Sequence, residues 1–137
     1  MATAHQIAAA LGGAETFGAP IGSVEELRLR VREGIPYASF EHLADAIGLT
    51  AAELEAAVGV APRTRARRRH ARRMAPDESD RLVRLARVVA TAAEVLGDTD
   101  RAARWLRRPN RSLGGEAPLE LLDTDLGAQQ VEAALGR

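Results

Sequence analysis

Between Arg63 and Arg73, seven of eleven residues are arginine and none is acidic. They are Arg63, Arg65, Arg67, Arg68, Arg69, Arg72 and Arg73. Residues 1–62 carry three arginines and eight acids, and residues 74–137 carry nine and eleven. Flanks at −5 and −2 around a block at +7 leave the chain neutral, with its positive charge gathered in one place. Such a block belongs at a surface. There it concentrates positive field and attracts polyanions whatever the net charge.

What precedes the block gives it a shape. Thr50 with Glu53 forms a Thr-x-x-Glu capping box, which starts a helix burying Leu54 and Val58 and ending near Gly59. Gly59 suits a tight corner, because glycine tolerates positive φ. Val60 plugs the angle, and Pro62 sits at a first helical position, where its missing N–H costs nothing. A second helix then runs from about Pro62 to Arg73. Two short helices joined by a glycine-containing turn read as a helix-turn-helix, whose second helix enters a DNA major groove. Arg63, Thr64 and Arg67 come first on that helix and are the candidate base readers, since arginine forks onto guanine. Arg68, Arg69, Arg72 and Arg73 lie further along and are expected to meet phosphates. The plainer alternative is a solvated arginine face.

One departure from the usual pattern is informative. A helix-turn-helix ordinarily places a small residue where Glu55 stands and an aliphatic one where Arg65 stands. These two positions face each other across the helix pair. Either they form a partly buried ion pair, or Arg65 snorkels to solvent over a looser pair of helices.

The chain has 137 residues, enough for one domain or two small ones. Aromatics are only 3%, so alanine and leucine supply most of the apolar surface, which favours helix over sheet. Cysteine is absent, which excludes a disulfide framework and a thiolate metal site. No secretory pattern opens the chain and no apolar run is long enough to span a bilayer. A soluble, cytoplasmic, all-α protein without a membrane partner is expected.

Residues 1–22 hold one weak helical patch, around Ile7–Leu11, and read as a loosely ordered arm. Ser23 to Glu26 forms a second capping box. Its helix carries Val24, Leu27 and Val31 inward and ends at Gly34 and Pro36. Ser39 can cap the next helix, with Phe40, Leu43, Ala44 and Ile47 on its inner face and Gly48 ending it. His5 reads as incidental and His42 as exposed. Residues 23–75 then form the helix-turn-helix domain and residues 76–137 a second, helical one.

Pro76-Asp77-Glu78 starts a long helix that runs to about Leu96. Leu82, Leu85, Val89, Ala93 and Leu96 form one apolar face, and Val83 and Val88 widen it. A helix apolar on more than one side needs a second surface to bury. A homodimer contact or the C-terminal helices would supply it. Gly97-Asp98-Thr99-Asp100 caps a short helix through Trp105 and Leu106, which Pro109 ends. A turn-rich stretch leads to Pro118–Leu122. Asp123 and Thr124 cap a last helix with Leu126, Val131 and Leu135 inward.

Catalytic constellations are missing. There is no glycine-rich phosphate loop, no His-Glu-x-x-His, and no Ser/His/Asp set in a plausible context. Asp123 and Asp125, two residues apart at a helix start, point different ways and read as caps. No enzyme and no cofactor are expected.

The C-terminal third carries a resemblance. Asp100 to Leu106, Pro109-Asn110, Leu113-Gly114-Gly115 and Pro118 to Asp123 resemble the signature of the Xre/MbcA/ParS-like antitoxins. With the Thr50–Arg73 helix pair, the resemblance covers about residues 23–137. It implies an antitoxin of a type II toxin–antitoxin pair. Its partner would be a cognate RES-domain toxin that consumes NAD, and its second ligand the double-stranded promoter DNA of its own operon. A homodimer is expected. The toxin-facing residues would be Glu116, Leu119, Glu120, Asp123, Asp125, Gln129, Gln130, Glu132 and Arg137. Family members run a few residues past the position of Arg137. Either neutralisation is weaker here, or Arg137 and its terminal carboxylate take over. Residues Ser112 to Arg137 hold five acids and one arginine, which suits a site built to bind a pyrophosphate. The competing readings are a stand-alone transcriptional regulator and an adaptor that keeps only the protein interface.

Overall fold

The computed structural model describes residues 2–136 and is all-α. Among these residues there is no strand; an isolated antiparallel bridge joins Pro36 and Arg73.

The N-terminal segment departs from the expected loose arm. It forms α1 (Ala4–Ala10) and α2 (Gly13–Phe17). Thr3 and Gln6 make a reciprocal capping box: the Thr3 hydroxyl accepts from Gln6 N–H at 3.1 Å, and Thr3 N–H donates to Gln6 Oε1 at 2.8 Å. Ile7, Leu11, Phe17 and Ile21 are buried in the main core. Each such side chain contributes about 1.5–3 kcal/mol, enough to hold a short helix that would be marginal alone.

Helix α3 (Val24–Glu33) is capped by Ser23, but Glu26 bonds the Gly22 N–H rather than that of Ser23. Leu27 is buried and Val31 partly so, whereas Val24 heads the helix outside the core and is exposed. Gly34 ends it at φ +95°, where a Cβ would lie 2.2 Å from the Met74 carbonyl oxygen. That approach lets residues 35–37 pair with residues 72–74. Met74 N–H donates to the Ile35 carbonyl at 2.9 Å, and Tyr37 N–H to the Arg72 carbonyl at 3.1 Å. The pairing sets the start of α4 (Tyr37–Ala46) two residues before Ser39. Ser39 therefore does not cap; its hydroxyl is buried without a partner among the described residues. Phe40, Leu43, Ala44 and Ile47 point inward as their spacing predicts, and His42 is exposed.

Helices α5 (Ala51–Val58) and α6 (Pro62–Ala71) follow, then α7 (Pro76–Leu96), about 30 Å long. Helix α8 (Thr99–Arg107) starts at Asp98, whose carboxylate accepts from Arg101 N–H at 2.8 Å. Two 3₁₀ turns, Arg111–Leu113 and Pro118–Leu121, lead to α9 (Asp125–Leu135), capped by Thr124.

The centre of the molecule is α7. Helices α1, α3, α5, α8 and α9 all pack on it. Leu82, Leu85, Ala86, Val88, Val89 and Ala92 are at most 2% exposed. The second apolar side is therefore covered by the chain's own helices, and Val83 packs partly against the same core. Leu106 is buried beside α7, with Trp105 half-buried against both the main core and a satellite formed by Ala92, Ala102 and Leu135.

Candidate functional site

The α5–α6 unit is built as the turn residues predict. Thr50 and Glu53 complete the capping box, Gly59 takes φ +70°, and Val60 is buried in the corner. The mounting of α6 is unusual: it buries no residue of its own. Two carboxylates hold it instead. Glu55, 5% exposed, pairs with Arg65, whose Nη1 also donates to the Tyr37 hydroxyl at 3.2 Å. Glu78, also 5% exposed, accepts from Arg68 Nε at 2.8 Å and from Ala75 N–H at 2.8 Å. One carboxylate thus caps α7 and anchors α6. The hydrogen bond to Tyr37, and after it the Glu55 carboxylate, raises the Arg65 pKa above its ordinary value; Glu78 does the same for Arg68. Neither guanidinium loses its charge in any ordinary buffer. Arg81 ties α7 to the same unit by donating to the Val58 carbonyl at 2.6 Å.

Of the residues predicted to meet nucleic acid, Arg63, Arg67, Arg69, Arg72 and Arg73 are exposed and Thr64 is half-buried. Arg68 differs: it turns inward to Glu78 rather than outward with the others. The helix also ends at Ala71, two residues short of the expected Arg73. Arg72 enters the left-handed region at φ 62° so that its carbonyl can meet Tyr37 N–H.

The C-terminal face is mounted differently. Gly127, in the first turn of α9, lies so close to the second 3₁₀ turn that a Cβ would fall 1.7 Å from the Leu121 carbonyl oxygen. Its N–H donates to the Thr124 hydroxyl at 2.9 Å. Ala128, Val131 and Leu135 then bury the inner stripe. Between the turn and α9 lies an open depression of about 770 Å³. Glu116, Glu120, Asp123, Gln129 and Gln130, all predicted from sequence, line it. Leu119 is half-buried and belongs to an adjoining groove with Glu53, Ala56 and Ala57 of α5. Asp125 and Glu132 are drawn toward α7: Asp125 lies 3.9 Å from Arg84 and from Arg87, and Glu132 lies 2.7 Å from Arg87. Arg137 lies outside the described residues.

Sequence reasoning placed Leu126 inward; it is 72% exposed and lines the depression. The register carried the signal. Ala128, Val131 and Leu135 keep helical spacing, whereas Leu126 lies about 140° around the helix from Val131. Among the described residues no group of His, Asp or Glu is placed to hold a metal, and no helix is long and apolar enough to cross a membrane.

Known proteins match both halves. Residues 26–87 match the antitoxin Xre-like helix-turn-helix domain. Residues 91–137 match the antitoxin Xre/MbcA/ParS C-terminal toxin-binding domain. The Antitoxin Xre of Photorhabdus laumondii is 32% identical over 124 residues, covering 89% of this chain and 84% of the relative. That of Yersinia enterocolitica is 39% identical over 88 residues, 63% of this chain and 60% of the relative. That of Pseudomonas putida is 44% identical over 59 residues, 43% and 37% of the two chains. With a helix-turn-helix, an irregular C-terminal face and a relative aligned over most of both lengths, this chain belongs to the Xre/MbcA/ParS antitoxin family.

Proposed function

We propose that this protein is the antitoxin of a type II toxin–antitoxin pair. It neutralises a RES-domain, NAD-consuming toxin by covering its active site with residues 116–137. It also binds the double-stranded promoter DNA of its own operon through α6. The observation that carries this reading is a division of charge on one rigid frame. Helix α6 bears three exposed arginines and Arg72 and Arg73 follow it, while the C-terminal depression is lined by the acids Glu116, Glu120 and Asp123. A site that binds the pyrophosphate of NAD must be basic, so the acidic face complements it, and α6 complements a phosphate backbone. Neither role requires the chain to be an enzyme.

The test is co-expression with the neighbouring RES-domain gene product, followed by growth and NAD measurements. Glu120→Lys with Asp123→Lys should abolish protection while leaving promoter binding intact. Full protection by that variant would move the inhibitory surface elsewhere, and no complex at all would favour a stand-alone regulator. Deleting α9 would be a poorer test, because Ala128 and Val131 belong to the core around α7. On DNA, Arg63→Ala or Arg67→Ala should weaken specific binding by about 1–3 kcal/mol each. Arg72→Ala should weaken all sequences alike and lower the salt slope by about one. A homodimer would present two α6 helices to half-sites one helical turn apart. Since α7 is covered from within, the dimer would use another face, and sedimentation of the free chain measures whether it forms.

A further inference from the structure

We infer that Leu126 is the apolar anchor of the toxin interface, and that it enters a hydrophobic pocket rimmed by basic side chains on the toxin. This rests on the toxin-binding reading above and names the residue within that face on which affinity turns.

Three observations carry it. Leu126 is surplus to the core, because the inner stripe of α9 is complete with Ala128, Val131 and Leu135. The backbone that carries it is also ordered. Thr124 caps its helix, and Gly127, the next residue, leaves no room for α9 to shift against the Leu121 carbonyl. An exposed leucine on an ordered backbone loses only its own side-chain freedom on binding, which suits an anchor. Finally, its surroundings select the occupant. Glu116, Glu120 and Asp123 share its depression, and among the described residues none of them forms an ion pair, whereas Asp125 and Glu132 face Arg84 and Arg87. An apolar centre within an unneutralised acidic rim fits a basic-rimmed apolar pocket. It does not fit DNA or an anionic membrane. It does not fit a second copy of itself either, because a two-fold contact would set the three acids against their own counterparts.

The experiment measures binding of a RES-domain toxin, the proposed cognate partner, to wild type, Leu126→Ala, Leu126→Asp and Leu126→Met. Val24→Ala, an equally exposed apolar residue on α3, is the control. Leu126→Ala should weaken the complex by about 30-fold or more, with Leu126→Asp weaker still. Leu126→Met should recover most of the affinity, and Val24→Ala should match wild type. Melting temperatures should hold throughout, since the side chain is outside the core. Wild-type affinity for Leu126→Asp would overturn the anchor and leave the antitoxin reading standing. No complex with wild type would overturn both. A wild-type dimer that Leu126→Asp dissolves would assign the surface to a second copy.

Discussion

Helices α6 and α9 are of similar length, 10 and 11 residues, and each carries one of the two faces. They are mounted by opposite means. Helix α9 buries Gly127, Ala128, Val131 and Leu135, so its position follows from packing. Helix α6 buries nothing and is held by Glu55 and Glu78, assisted by Tyr37 and by the pairing of residues 35–37 with 72–74. Packing fixes α9, since Gly127 leaves no room against the Leu121 carbonyl. Ion pairs fix α6 only where desolvated carboxylates meet guanidinium forks. The face proposed to meet a toxin is thus set on the packed mount, and the face proposed to meet DNA is set on the polar one.

The largest effect should come from the α9 mount. Gly127→Ala forces α9 off the Leu121 carbonyl and should cost about 3 kcal/mol, at the upper end of overpacking effects. Toxin affinity should fall with it, as read by melting and by titration. A variant that melts like wild type would mean that α9 slides freely. Next is the α6 mount. Glu55→Ala leaves Arg65 half-buried without its partner and should cost about 2–3 kcal/mol, somewhat below the loss at a fully buried pair. Glu55→Ala with Arg65→Ile restores an apolar contact and should recover most of that loss. A strictly additive double mutant would show that the two residues are not coupled.

Smaller still is Arg72→Gly. It relieves a non-glycine residue from φ 62° and should raise stability by about 1 kcal/mol. Because it also removes an exposed cation, promoter affinity should drop while stability rises, a separation that calorimetry and DNA titration resolve. The smallest is a pH effect. The Thr50 N–H, and after it the Thr50 hydroxyl and the Arg107 cation, lowers the Glu53 pKa below its ordinary 4.5. A folded value below the unfolded one means that stability is fully present above pH 4.5 and is lost as the pH falls through the depressed value. Glu53→Gln should flatten that acid limb, read as amide protection in the first turn of α5.

Local signals were the legible part of the fold. Thr50/Glu53, Pro62 and Pro76 mark helix starts within four residues of chain, and the structure places helices where they indicate. The Glu55–Arg65 pair was also legible, because two charges stood at facing positions that ordinarily take a small residue and an aliphatic one. Long-range contacts were not. Nothing near Tyr37 announces that its N–H will meet the Arg72 carbonyl, so Ser39 looked like the cap. Arg68 looked like its neighbours, because Glu78 is ten residues away and on another helix. The N-terminal helices were missed despite a readable Thr3-x-x-Gln6 box, since an alanine-rich turn is marginal until α7 covers it. Within the candidate site, Glu116, Glu120 and Asp123, expected from sequence to face a partner, line one depression, and the leucine among them was lost to a misread register.

The second helix of a helix-turn-helix that contributes nothing to the core can also change its surface freely. Positions 63, 64, 66, 67, 69 and 70 of α6 can be rewritten without opening a cavity, provided Arg65 and Arg68 keep their grip on Glu55 and Glu78. The helix is in effect an interchangeable cassette clipped in at two points. Were α6 to read an operator as proposed, paralogues living in one cell could diverge in operator choice by drift across six positions while their scaffold stays untouched. The same property offers the protein engineer a library site whose variants are sorted by DNA sequence rather than by their ability to fold.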